Sequence, residues 1–148
     1  MHNILQMIVK DAMVVIHLAK ITLLEKSCEY FKKVLIPEEV YREIMVGKEK
    51  GFSEVKIIEN LIENKKINIK KIEEEDLLKK ANEFNIKKGE AEAVALYWKE
   101  KAELIATDDD NVRKKNIVLN LKMIGTPAII LSLYKEKMKM KNGLKEDV

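Results

Sequence analysis

Short, largely apolar runs at residues 5–9, 34–36, 104–106 and 121–124 alternate with longer segments whose apolar residues recur at helical spacing. Runs this short, bounded by charges and turn residues, fit buried strands rather than helices. Strands that alternate with helices favour a mainly parallel sheet, because each parallel crossover needs a long connection. A parallel sheet is covered on both faces, which explains strands without polar alternation. The pattern therefore predicts an α/β domain with a mainly parallel central sheet flanked by helices.

The helical segments follow from spacing and start signals. Val14, Val15, Leu18, Ile21 and Leu24 mark one helix over residues 14–24. Pro37 opens another, with Glu38 and Glu39 in its first turn, where acids complement the helix dipole. Further helices are predicted over residues 53–64, 73–84, 90–101, 111–118 and 126–138, and an edge strand around Ile67, Ile69 and Ile72. The charged tail, 139–148, reads as frayed. No Pro- or Ser-rich linker interrupts the chain, and 148 residues suit one domain, with its core over about 6–137.

Composition removes several function classes. One cysteine, Cys28, rules out an internal disulfide framework and a multi-cysteine zinc site. No apolar run approaches the roughly 20 residues of a membrane span, and no secretory signal opens the chain. These features predict a cytoplasmic protein with no membrane partner. A net charge of +3 is too small to argue for nucleic acid by itself.

Ligands of parallel α/β sheets bind beyond the carboxyl ends of the strands. Acids stand there: Asp11 after the first run, and Asp108, Asp109 and Asp110 after the third. Glu43, Glu90 and Glu92 lie on predicted helices. Gathered carboxylates repel, and the repulsion is relieved by protons or cations. Oxygen donors without cysteine or histidine suit hard ions such as Mg²⁺ or Mn²⁺. Asp11 and one of the Asp108–Asp110 acids are equally suited to capping the helices that follow them. Spacing alone leaves caps and a metal site as open alternatives.

Five segments, in order, resemble the PIN-domain family of metal-dependent ribonucleases, in particular chains similar to VapC-type toxins. They are the strand and acid Ile8-Val9-Lys10-Asp11 with the helix Ala12 to Lys20 that follows, then Ile36-Pro37-Glu38-Glu39-Val40-Tyr41-Arg42-Glu43, then Gly89-Glu90-Ala91-Glu92-Ala93-Val94-Ala95-Leu96, Thr107-Asp108-Asp109 and Ile124-Gly125-Thr126. The resemblance implies a single PIN-like domain. It implies that Asp11, Glu43, Glu90 and Asp109 serve catalysis by holding Mg²⁺ or Mn²⁺, with Asp108 a further candidate ligand. It also implies an endoribonuclease that hydrolyses RNA phosphodiesters, the toxin of a toxin–antitoxin pair, with a small antitoxin and a second copy of the chain as partners. Glu90 and Glu92 are two residues apart on a helix and cannot face the same way, so Glu90, in the first turn, is the expected site residue. Thr107 is a candidate to orient a ligand carboxylate or water. One departure favours an alternative, a non-catalytic PIN-like module that binds RNA or protein: Ala12 and Met13 stand where the family usually has Thr or Ser and a small polar residue. His17, amid apolar neighbours, reads as a packed or surface histidine rather than a ligand, and Trp98 as core or interface.

Overall fold

The computed structural model describes residues 6–86 and 88–146. Strand β1 spans Met7–Lys10, β2 Lys33–Pro37, β3 Asn68–Lys70, β4 Leu104–Ala106 and β5 Met123–Ile124. The helices are α1 Ala12–Lys20, α2 Leu24–Tyr30, α3 Glu38–Glu49, α4 Glu54–Glu63, α5 Glu75–Asn82, α6 Lys88–Glu100, α7 Asp110–Lys114 and α8 Thr126–Glu146. Leu5, in the first predicted strand, lies outside the described residues.

The strands form one sheet in the order β3-β2-β1-β4-β5, and every pair is parallel. The chain leaves β1 toward β2 and β3, then returns to the other side of β1 for β4 and β5. Strands β1 and β4 are therefore neighbours whose outgoing connections diverge. This is the switch point at which an open parallel sheet leaves a crevice beyond its carboxyl ends.

Alternation within the strands divides the core between two faces. Ile8, Val34, Ile36 and Ala106 pack with α1, α2, α3, α4 and Ile129 of α8. Val9, Leu35 and Ile105 pack with Ala91, Ala93, Val94, Ala95 and Leu96 of α6 and with Ala81 of α5. The small side chains of α6 let that helix lie close to the middle of the sheet, which brings its first turn to the strand ends.

Lys10 breaks the apolar rule. It is fully buried, its Nζ donates to Ser27 Oγ at 2.6 Å, and it lies 5.6 Å from the centre of the Phe31 ring. Ser27 Oγ in turn donates to the Leu24 carbonyl. Burial lowers the Lys10 pKa to about 8, against a smaller upward pull from Cys28.

Three expectations are corrected. The helix expected over residues 14–24 is two helices. Thr22 takes a left-handed conformation (φ 59°), its amide bonds to the Ala19 carbonyl, and the Leu23 amide bonds to the Leu18 carbonyl. That pair of bonds is a Schellman C-cap, here built on a β-branched residue instead of the usual glycine. No Gly or Pro marks the stop, and the apolar spacing runs through it. Helix α7 ends at Lys114 rather than near Val118, and a left-handed Asn120 leads into β5. The tail expected to fray instead continues α8 to Glu146. Its Lys, Met and Glu residues are good helix formers with no proline to stop them.

Replacing the buried ammonium with an apolar side chain of similar size should stabilise the fold. A pKa lowered from 10.5 to about 8 means that burying the charge costs most below pH 8. The cost fades as pH rises from 8 toward 10.5, where the folded protein sheds the proton first. Lys10→Met is expected to add about 1–4 kcal/mol at pH 7, with a smaller gain at pH 10, measured by urea unfolding at both pH values.

Candidate carboxylate site

The site is built on the ends of β1 and β4. The Asp11 amide donates to the Ala106 carbonyl at 3.0 Å, one step beyond the β1–β4 ladder. This bond plants Asp11 at the switch point. Its Oδ1 accepts the Val14 amide at 3.1 Å and so caps α1. Asp109 repeats the arrangement on the neighbouring strand, with its Oδ1 accepting the Val112 amide at 2.9 Å to cap α7. Between them, Thr107 is buried; its hydroxyl accepts the Asp109 amide at 3.1 Å and pulls the Asp11 pKa downward. Of the alternatives that spacing leaves open, the structure shows Asp11 as a cap, placed beside the other strand-end acids.

Two helices bring the glutamates. Glu90 lies in the first turn of α6 and Glu43 midway along α3, two helices that pack together. Gly89 permits this approach: a Cβ at that position would lie 2.1 Å from Glu43 Oε1. Glu92 Oε1 accepts the Glu39 amide at 3.2 Å, so it serves the N-terminal turn of α3. Asp108 is held from the far side. Its Oδ1 accepts the Thr126 amide at 2.8 Å, and its Oδ2 accepts the Thr126 hydroxyl and pairs with His17 Nδ1 at 3.0 Å.

Electrostatics ties these groups together. Asp11 is 4% exposed, and its pKa is pushed up to about 6. Burial is the main cause; the hydroxyl of Thr107 and amide of Val14 oppose it, while the charges of Asp108 and Glu90 add to it. Glu43 keeps much of its side chain in solvent, but its carboxyl end rests on α6. Loss of water there, then the charges of Glu90, Glu39, Asp11 and Glu92, raise its pKa. Burial also pushes Asp108 upward, but the two Thr126 donors and His17 outweigh it and hold that carboxyl below its ordinary range.

The structure thus brings the charges of Asp108 and Glu90 to bear on Asp11 and those of Glu90, Glu39, Asp11 and Glu92 on Glu43, while Asp109 caps α7 as Asp11 caps α1. Among the described residues, no three Asp, Glu, His or Cys side chains form a ready-made cation cage. The donor set nevertheless fits a hard divalent ion: the carboxylates are drawn from separate elements, two have raised pKa values, and a glycine makes room for one of them. A groove of about 950 Å³ lies elsewhere, between α2 and α8, lined by Tyr30, Tyr134 and Met140, and includes none of these carboxylates.

Two neighbours of these carboxylates have roles that only the structure shows: Thr126 donates twice to Asp108, and His17, read from the sequence as a packed or surface histidine, pairs with a carboxylate 91 positions away. Trp98 is partly buried as expected, with its indole N–H on the Leu119 carbonyl at 3.0 Å.

A family model described as a PIN domain matches residues 7–145. The fold is similar to the crystal structure of PAE2754 from Pyrobaculum aerophilum, with a TM-score of 0.63 and 14% identity over 89% of this chain and 99% of that one. At that identity the likeness concerns the fold alone. No curated protein matches the chain.

The Asp11 shift has a stability consequence. A folded pKa of about 6 against an ordinary 3.8 means the buried charge costs most above pH 6, and the cost vanishes as pH falls toward 3.8. Asp11→Asn keeps an oxygen for Val14 and Thr107 but removes the charge. It should raise stability at pH 7 by up to about 3 kcal/mol, with the gain shrinking by pH 4.5 in matched denaturation curves.

Proposed function

The chain belongs to the PIN-domain family, and from that premise we propose that it is a metal-dependent endoribonuclease, the toxin of a toxin–antitoxin pair. The observation that carries this reading is the convergence of carboxylates from β1, α3, α6 and β4 at the switch point, with Asp11 at its buried centre and a pKa pushed up to about 6. Like charges gathered around a buried carboxylate cost stability. Its chemical use is to hold a cation that restores the balance.

In this reading Asp11, Glu43, Glu90 and Asp109 hold Mg²⁺ or Mn²⁺, with Asp108 completing the negative field. A bound ion of this kind supplies positive charge that favours ionisation of water and offsets charge on the scissile phosphate. The chain's own residues prepare the place. Thr107 and the Val14 amide orient the Asp11 carboxylate, which is ionised at neutral pH. Gly89 lets Glu43 reach the first turn of α6. RNA is the proposed substrate, its backbone drawn by lysines of a chain in which all but Arg42 and Arg113 of the 28 basic residues are lysine. The proposed protein partners are a small antitoxin and a second copy; the outward apolar residues Leu131, Tyr134 and Met140 of α8 offer a surface for such contacts.

A non-catalytic binding module is the second reading. Ala12 and an exposed Met13 favour it, since no hydroxyl follows Asp11 in the chain. The buried Thr107 hydroxyl, just beyond β4, acts on the Asp11 carboxylate where residue 12 offers none, and this supports the enzyme reading.

Mixed RNA incubated with purified protein and Mn²⁺ is expected to be cleaved, and cleavage should stop with EDTA or in Asp11→Asn. Gly89→Ala, which forces Glu43 aside, should lower the rate by about 10–100-fold with an unchanged circular dichroism spectrum. Full activity in Asp11→Asn would overturn the assignment of that residue. No cleavage together with no Mn²⁺-induced rise in melting temperature would establish the binding module instead.

A further inference from the structure

Among the strand-end acids, Asp108 is held in a distinctive way. An ionised carboxylate only accepts hydrogen bonds, so the 3.0 Å contact has His17 Nδ1–H donating to Asp108 Oδ2. Thr126 supplies the other two donors, its amide to Oδ1 and its hydroxyl to Oδ2. Both Thr126 donors come from α8. His17 comes from α1, the helix whose N-terminus Asp11 caps. One helix therefore carries Asp11 at its start and grips Asp108 with a side chain six residues later.

This matters because Asp108 and Asp11 repel each other. Thr126 anchors the Asp108 carboxylate to α8 alone. His17 ties it to the element that fixes Asp11. Metal sites depend on such outer partners: a group that orients an anionic member of a site sets the affinity without touching the ion. Resting on the carboxylate-site reading above, we propose that His17 is a positioning residue, which fixes Asp108 relative to Asp11 and so sets the affinity of the site for a divalent cation. The resemblance to the PIN family assigns no role to this position.

The test is calorimetric titration of Mn²⁺ alone, without RNA, into wild type, His17→Asn, His17→Leu and Asp11→Asn. An asparagine amide nitrogen sits close to where the histidine Nδ1 does and keeps a donor there, whereas leucine keeps bulk and offers none. His17→Leu is expected to bind Mn²⁺ about tenfold or more weakly, and His17→Asn to stay within about threefold of wild type. Metal-free melting temperatures, expected to be alike in the two variants, separate this effect from packing. If His17→Leu binds as wild type does, or if His17→Asn is as weak as His17→Leu, the proposal is overturned while the carboxylate site stands. If wild type and Asp11→Asn alike take up no Mn²⁺, the site reading itself fails, and the role of His17 fails with it.

Discussion

Asp11 is almost wholly withdrawn from water at the end of a strand covered on both faces, so its carboxylate must be met by groups the fold carries to it. Its amide continues the β1–β4 ladder, the Val14 amide caps it from α1, and Thr107 reaches it from the next strand. The contacts with Ala106 and Thr107 need β1 beside β4. That neighbourhood exists because the chain builds β2 and β3 on one side of β1 and then crosses to the other. The strand order and the buried acid are two aspects of one constraint.

Around Asp11 the packing works toward charge concentration rather than away from it. The buried face of α6 is mostly alanine, with Val94 and Leu96, and small side chains let it sit tightly on the sheet. A bulkier face would lift the helix and carry Glu90 away from the strand ends. Gly89 performs the same service at closer range for Glu43. Burial first, and then repulsion from the neighbouring carboxylates, raises the pKa values of Asp11 and Glu43, which is a cost in stability accepted where charge has a use. Asp108 is the exception, kept ionised by donors from α1 and α8.

Much of this was legible along the chain, for a local reason. A strand buried on both faces needs consecutive apolar residues, so 34–36 and 104–106 announced themselves, as did the parallel sheet. The Pro37 helix start and the acids at the strand ends were readable because capping and strand termination act over three or four residues. What escaped was local structure without a local signal. The break after α1 rests on a left-handed Thr22 where glycine is expected, and the apolar spacing continues across it. The extension of α8 through its charged residues defeated the expectation that a polar tail frays.

The sequence by itself determined the alternation of strands and helices, the positions of the acids, and the family those segments resemble, because each is encoded in residues near one another. Only the tertiary structure decided which acids share a field. Asp108 adds its charge at Asp11 and takes donors from α1 and α8, while the adjacent and chemically identical Asp109 caps α7 as Asp11 caps α1. It also decided that Glu92 serves the start of α3, that Thr107 brings to Asp11 the hydroxyl that Ala12 lacks, and that His17 meets a carboxylate 91 residues away. Electrostatic coupling depends on distance in space, and distance in space is set by strand order and helix packing, neither of which is written at any single position.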